Sequence, residues 1–119
     1  MQGISFRAWR GRHYVTLAEL LGHLGDFGKA LRWRVECEEH WELTAELERR
    51  SAGEGMDTAT LLALVSPAVQ FVDAEATGSA DGAPVVVLTE FDSSLWEVRS
   101  VDERVLGEFR RHYPDAVGL

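Results

Sequence analysis

The sequence predicts an α+β fold, in which helices pack on a mostly antiparallel sheet that ends in a three-stranded meander. The most apolar and β-branched stretch, residues 85–98, has the pattern of two strands joined by a turn at residues 92–94. Helical and strand periodicities are mixed along the chain without the regular alternation of a parallel sheet. The last three predicted strands follow one another directly. The length of 119 residues suits a single α+β domain spanning residues 1–119.

The N-terminal part predicts one strand followed by one helix. Residues 4–9 alternate between two faces, as expected of a strand with one buried side. Thr16 and Glu19 have the spacing of a capping box, and Gly25 suits the end of the helix. The apolar stripe of this helix consists of Leu17, Leu20, Leu21 and Leu24. His23 lies off the stripe, so we expect it on the solvent side.

The middle of the chain contains one clear strand and one ambiguous segment. Residues 31–37 alternate between an apolar face and a charged face, which is typical of a half-buried strand. Residues 41–51 fit a short surface helix, because Leu, Ala, Glu and Arg are good helix formers. The same residues also continue the two-residue alternation, so a strand that pairs back on residues 31–37 stays open. We favour the helix.

The next helix and strand are separated by a proline. Residues 51–55 have the composition of a loop, and Asp57 has the position of a helix cap. We expect the buried side of that helix to consist of Leu61, Leu62 and Val65. Ser66-Pro67 should end it, since the residue before proline avoids the α region.

The C-terminal part predicts the meander and a last helix. A strand over residues 69–76 should lead through a long hairpin connection, residues 77–84, to the strand at 85–91. Bulky apolar residues on both faces of residues 85–91 predict a central strand that is covered on both sides. A third strand at 95–99 precedes a helix that is capped by Ser100 with Glu103, or by Asp102. That helix reaches about His112.

The charge of the chain argues against several classes of function. The formal net charge is −8, with +4 over residues 1–34 and −12 over residues 35–119. Neutralisation of phosphates supplies most of the affinity for nucleic acids, so we expect no nucleic-acid partner. No apolar run reaches the ~20 residues that cross a bilayer, and we expect no membrane association. The single cysteine, Cys37, suits a reducing compartment, and we expect a cytoplasmic protein.

Two arrangements could carry chemistry in a small hydrolase. If the strand at 31–37 continued, Glu36, Glu38, His40 and Glu42 would share one face, and carboxylates with an imidazole can hold a transition-metal ion. The spacing of paired His or Cys ligands that is typical of zinc is absent, so we predict no metal and no cofactor. Cys37 lies three residues before His40, but its place on the apolar face predicts a buried, unreactive thiol. The other histidines, His13, His23 and His112, are scattered and have no evident partners.

An acidic run with a tryptophan is the strongest local feature. We predict that this run binds a basic protein partner, because complementary charge speeds encounter and an exposed Trp is a good interface anchor. The predicted partner-binding residues are Glu36, Glu38, Glu39, His40, Trp41, Glu42 and Glu46. The leading hypothesis is a non-enzymatic interaction domain, for example an inhibitor or immunity-type binder. The alternatives are the small metal- or Cys-dependent hydrolase and a homo-oligomeric subunit that associates through an uncovered strand edge.

Overall fold

The computed structural model describes residues 1–66 and 69–119. Its strands are β1 Gln2–Arg7, β2 Trp9–Arg10, β3 His13–Tyr14, β4 Arg32–Cys37, β5 Met56–Asp57, β6 Asp73–Ala80, β7 Ala83–Phe91, β8 Leu95–Ser100 and β9 Val117–Gly118. Its helices are α1 Leu17–Leu24, α2 Asp26–Lys29, α3 Glu42–Ser51, α4 Thr58–Val65 and α5 Glu103–His112.

Seven of these strands form one sheet in the order β5-β4-β6-β7-β8-β1-β9, and β2 pairs with β3 in a separate hairpin. Every pairing within the large sheet is antiparallel. The α+β class is therefore confirmed. The C-terminal meander is confirmed as well, since β6, β7 and β8 are consecutive neighbours. The strand predicted to be central, β7, is the fourth of the seven.

The core lies between one face of the sheet and the helices. Alternate residues of the strands are buried on that face, for example Trp33 on β4, Leu88 on β7 and Val98 on β8. The helices bring their own apolar stripes, represented by Leu20 of α1 and Leu106 of α5, both fully buried. None of the described helices is long and apolar enough to cross a membrane.

Within residues 1–66 and 69–119 no helix packs on the opposite face of the sheet, so the prediction that β7 is covered on both sides was wrong. Along β7 buried residues alternate with half-buried ones, and Phe91 at its end is exposed. The half-buried residues include Val85 and Val87. Apolar residues on both faces of a strand show that either face could be buried. They do not show whether the chain has helices to pack on both faces.

The hairpin between β6 and β7 is tighter than predicted. Residues 77–80 belong to β6, and only Asp81 and Gly82 separate the two strands. Both turn residues have positive φ angles, 51° and 79°, which is the geometry of a type I′ turn and matches the right-handed twist of the strands. The start of the strand was also predicted too early, because β6 begins at Asp73 rather than Val69.

The ambiguous residues 41–51 form helix α3, as favoured. Side chains of α3 close the free backbone edge of β4: the buried Ser51 hydroxyl accepts a hydrogen bond from the Val35 N–H (3.0 Å), and Glu48 accepts one from the Cys37 N–H (3.3 Å). At the other end of the sheet the Arg7 N–H donates to the carboxylate of Asp115 (3.1 Å). Both sheet ends are thus finished by side chains and by strands of two residues each, β5 and β9.

The helix caps follow the predictions with one choice made. Thr16 accepts from the Glu19 N–H at the start of α1, and Asp57 accepts from the Thr60 N–H at the start of α4. Of the two caps considered for α5, Asp102 accepts from the Arg104 N–H. Leu61 and Val65 are buried in α4 as predicted, but Leu62 is exposed, which contradicts its assignment to the buried side. Pro67, expected to end this helix, lies outside the described residues.

Candidate functional site

The predicted partner-binding residues occupy the corner where β4 ends and α3 begins. We call residues Glu38, Glu39, His40, Trp41 and Glu42 the acidic corner. All of them are exposed except Glu39, which is half-buried. Glu36 is exposed on β4, and Glu46 lies one turn into α3. Within the described ranges, 1–66 and 69–119, no salt bridge involves Glu36, Glu38 or Glu42.

Trp41 is held in place although its indole is exposed. Its side chain is 45% accessible, and it is the residue that caps α3. The Trp41 N–H donates to the hydroxyl of Thr44 (2.9 Å), and that hydroxyl donates to the Trp41 carbonyl (2.9 Å). Thr44 itself is fully buried. A tryptophan whose backbone is fixed before binding loses little backbone freedom when a partner covers it.

Two of the predicted partner-binding carboxylates, Glu39 and Glu46, form contacts within the chain. Glu39 accepts a hydrogen bond from the Val72 N–H (2.9 Å), which ties the corner to the segment before β6. Glu46 forms salt bridges with Arg50 and Arg49 of its own helix. Hydrogen bonds from Arg50 and Arg49 hold the pKa of Glu46 below its usual range. Glu46 is therefore less available to a basic partner than the sequence indicated.

A concavity of about 490 Å³ lies beside the acidic corner. Its walls come from β4, α3, β6 and β7, and most of its polar lining is acidic. The carboxylates on its lining are those of Glu36, Glu38, Glu48, Asp73, Glu75 and Glu90. The corner therefore continues onto the sheet, which the linear sequence could not indicate because β6 and β7 are more than 30 residues away.

The shared strand face that would have grouped Glu36, Glu38, His40 and Glu42 does not form. The strand ends at Cys37, and Glu42 already begins α3. Among the residues that the structure describes, no group of three or more His, Cys, Asp or Glu side chains is placed to hold a metal ion.

Glu90 is a buried carboxylate that the sequence reading missed. Its side chain is 1% accessible, and its two oxygens accept hydrogen bonds from the Tyr14 hydroxyl (2.5 Å) and the Ser93 N–H (2.9 Å). Burial raises the pKa of Glu90 to about 7, although both hydrogen bonds act in the opposite direction. The carboxylates of Asp73 and Glu39 add to the rise. The alternation of β7 could have predicted this burial, because Glu90 is on the same face of the strand as Val86 and Leu88.

The thiol of Cys37 is placed as the sequence predicted. Cys37 is buried, and burial together with the nearby carboxylates of Glu48 and Glu39 raises its pKa to about 12. Because the thiolate is the nucleophilic form, this thiol stays protonated and inert at neutral pH. His40 is exposed at the corner.

The other three histidines were predicted to lack partners, and this was wrong. His23 and His112 stack with ring centroids 3.7 Å apart, between α1 and α5. His23 Nε2 lies 3.0 Å from the Tyr113 hydroxyl, which donates to Glu19, and Glu19 also contacts His13 (2.6 Å). Only a fifth of the His23 side chain is accessible, so its expected place on the solvent side was also wrong.

The groups in this cluster shift one another's pKa values. Burial, and then the neighbouring His112, lower the pKa of His23. Burial alone would raise the pKa of Glu19, but hydrogen bonds from Tyr113 and His13 outweigh it and lower that pKa. The cluster joins two helices and the β2–β3 hairpin across roughly the whole length of the chain. Two of its contacts are local, because His23 and His112 each lie four residues after a glutamate, Glu19 and Glu108. The contacts between the helices, such as that of Tyr113 with Glu19, lie far apart in sequence, so no local pattern indicated them.

The chain is thus a helix-on-sheet α+β domain with an exposed acidic corner. No family model matches it, and the searches of curated proteins and of solved structures found no match either.

Proposed function

We propose that this chain is a non-enzymatic interaction domain that binds a basic protein through the acidic corner, with Trp41 as the anchor. The observation that carries the proposal is the pair of hydrogen bonds that fixes the Trp41 backbone on the buried Thr44. These bonds place Trp41 beside the exposed carboxylates of Glu38 and Glu42, which form no salt bridge among the described residues. An inhibitor or immunity-type role against a basic enzyme is the concrete version. Such a partner would meet Glu38 and Glu42 first, and the indole would then be buried.

The carboxylates and the tryptophan of the acidic corner would contribute to binding in different ways. Exposed carboxylates raise the rate of encounter with a positively charged surface, and they do so most at low ionic strength. A buried aromatic anchor contributes more of the binding free energy, since removing one typically costs about 2 kcal/mol or more. The two kinds of residue should therefore affect different kinetic constants.

The test begins with a tagged chain that captures its partner from the native host, followed by binding kinetics with the purified partner. We expect Trp41→Ala to weaken affinity by about 30-fold, mainly through faster dissociation. The double variant E38Q/E42Q should slow association and flatten its dependence on salt.

The matched control is E54Q/E103Q. Glu54 is an exposed loop residue like Glu38, and Glu103 opens helix α5 as Glu42 opens α3. This variant removes the same charge from elsewhere and should bind as the unmodified chain does. Equal effects of the two double variants, or a Trp41→Ala variant with unchanged affinity, would remove the acidic corner as the binding surface.

A further inference from the structure

The face of the sheet that carries no helix is neither uniformly polar nor uniformly charged. We call it the open face. Its side chains come from alternate positions of β4, β6, β7, β8 and β1, the positions opposite to the buried ones. A solvated sheet face normally alternates with the core as a polar surface. This face instead carries two rows of charges sorted by sign, with apolar residues at both ends of β7 and β8.

The charges form two neighbouring rows that run across the strands. The first row follows the register Arg34, Thr77, Val87, Arg99 and contains two basic residues. The guanidinium of Arg34 donates to the Gly53 carbonyl (3.0 Å). The second row, two residues further along each strand, follows Glu36, Glu75, Thr89, Glu97 and is acidic. On β8 the two rows meet within the chain, where Arg99 and Glu97 form a salt bridge of 2.6 Å.

Apolar residues lie outside both rows. Beyond the acidic row, Phe91 pairs with Leu95 across β7 and β8, and the two are 41% and 40% exposed. Beyond the basic row, the Val101 N–H donates to the Val85 carbonyl, and Val101 is 61% exposed. On β8 the order along the strand is therefore apolar, basic, acidic, apolar, and β7 adds an apolar residue to each end. The outer positions of β4, β6 and β1 are instead charged, with Arg32, Asp73 and Arg7.

We propose that the open face binds a second copy of this chain, face to face. The two-fold axis runs across the strands, between the basic and the acidic row. Rotation about this axis keeps each strand opposite its own copy and exchanges the two rows. Arg99 then lies opposite Glu97 of the second copy, and the Phe91 and Leu95 pair lies opposite Val85 and Val101 of the second copy.

This order of rows is what makes the face complementary to itself. A two-fold interface brings the same patch of both copies together, so each charge needs an opposite charge at the mirrored distance from the axis. Arg34 with Glu36 on β4 and Arg99 with Glu97 on β8 meet that condition, and the apolar ends of β7 and β8 face each other, whereas Glu75 faces the hydroxyl-bearing Thr77. Sheets that pack in this way lie about 10 Å apart with strands roughly 30° from parallel, which long Arg and Glu side chains can bridge.

The ends of the sheet offer no comparable route to association. The outer strands β5 and β9 have two residues each, and α3 side chains occupy the Val35 and Cys37 amides of β4. An added strand would have to displace these contacts. These contacts favour the open face over the sheet edges as the surface for a second copy.

Sedimentation equilibrium on the purified full chain tests the proposal directly. We expect the average mass to rise from monomer to dimer with concentration. A monomer mass that does not change with concentration, up to the high micromolar range, overturns the proposal.

Charge reversals then test the axis. The variant R99E makes both rows acidic near the axis, and E97R makes both basic, so each variant alone should dimerise more than about tenfold more weakly. Mixed in equal amounts, R99E and E97R should form a heterodimer, because the exchange of rows sets the reversed residue of one against the opposite charge of the other. A mixture that stays as weak as the single variants overturns this axis.

Two further variants separate this proposal from misfolding and from the acidic corner. Val101→Asp changes a mostly exposed side chain, so it should fold normally and still lose the dimer. The corner variant E38Q/E42Q should keep the dimer, because neither residue belongs to the rows near the axis. A dimer that survives Val101→Asp, R99E and E97R uses another surface and refutes the proposal, whatever the outcome for the acidic corner.

Discussion

Replacing Glu90 by Gln should remove a pH-dependent loss of stability. In the unfolded chain this carboxyl ionises near 4.5, whereas burial raises its folded pKa to about 7. Between these values the folded state binds more protons than the unfolded state does, so stability falls as pH rises through this window. Below it the favourable contribution of protonated Glu90 is fully present, and above it that contribution is lost.

The size of the effect follows from the pKa difference. Each pKa unit corresponds to about 1.4 kcal/mol, which gives roughly 3 kcal/mol for the full rise. Glu90 is 1% accessible, so water screens this effect little, and we expect about 3 kcal/mol. Gln at this position keeps an oxygen for the Tyr14 hydroxyl or the Ser93 N–H, but it cannot ionise.

Urea unfolding of both proteins at pH 4.5, 6 and 8 measures the difference. We expect the stability of Glu90→Gln relative to the unmodified chain to rise by about 3 kcal/mol between the lowest and the highest pH. Glu54→Gln, which removes an exposed loop carboxyl, supplies the background. A difference that stays constant with pH would show that Glu90 is ionised throughout, and the argument from burial would fail.

Two other predictions concern contacts inside the fold. Ser51→Ala leaves a buried N–H of β4 without an acceptor, which should cost about 1–3 kcal/mol, or roughly 4 °C in melting temperature per kcal/mol. Ser66→Ala, whose hydroxyl bonds a helix carbonyl at the surface, should change stability by less than about 0.5 kcal/mol, and equal losses would contradict the role of Ser51. His112→Gln should raise the pKa of His23 toward its usual value, because a neighbouring positive charge is removed. NMR titration of the His23 ring measures it, and an unchanged pKa would assign the whole depression to burial.

Local patterns were sufficient wherever the structure depends on neighbours in sequence. The caps at Thr16 and Asp57 and the alternation of residues 31–37 were predictable because their partners lie within a few residues. Residues 77–80 were not, since they are small or polar and have weak strand propensity. Their strand structure comes from pairing with β4 and β7, so tertiary context decided it.

The candidate site divides in the same way. The exposure of Trp41 and Glu42 followed from the prediction that residues 41–51 form a helix. The salt bridges that Glu46 forms with Arg49 and Arg50 could be identified only from the structure. The contribution of Asp73 and Glu75 to the concavity depended on strand order, which periodicity alone does not determine. The i,i+4 spacing of Glu19 with His23 and of Glu108 with His112 was visible in the sequence, but the stacking of the two histidines was not.

The way α3 finishes the edge of β4 connects the acidic corner to the sheet. The helix that begins after Trp41 ends with Ser51, the residue that occupies the Val35 amide. That amide exchanges its proton with solvent only when this end of α3 moves away, and the Cys37 amide depends on Glu48 in the same way. We expect a ligand that binds the first turn of α3 to slow deuterium uptake at these two amides, which it does not touch. Deuterium uptake at the Val35 and Cys37 amides should therefore indicate whether a ligand is bound at the acidic corner.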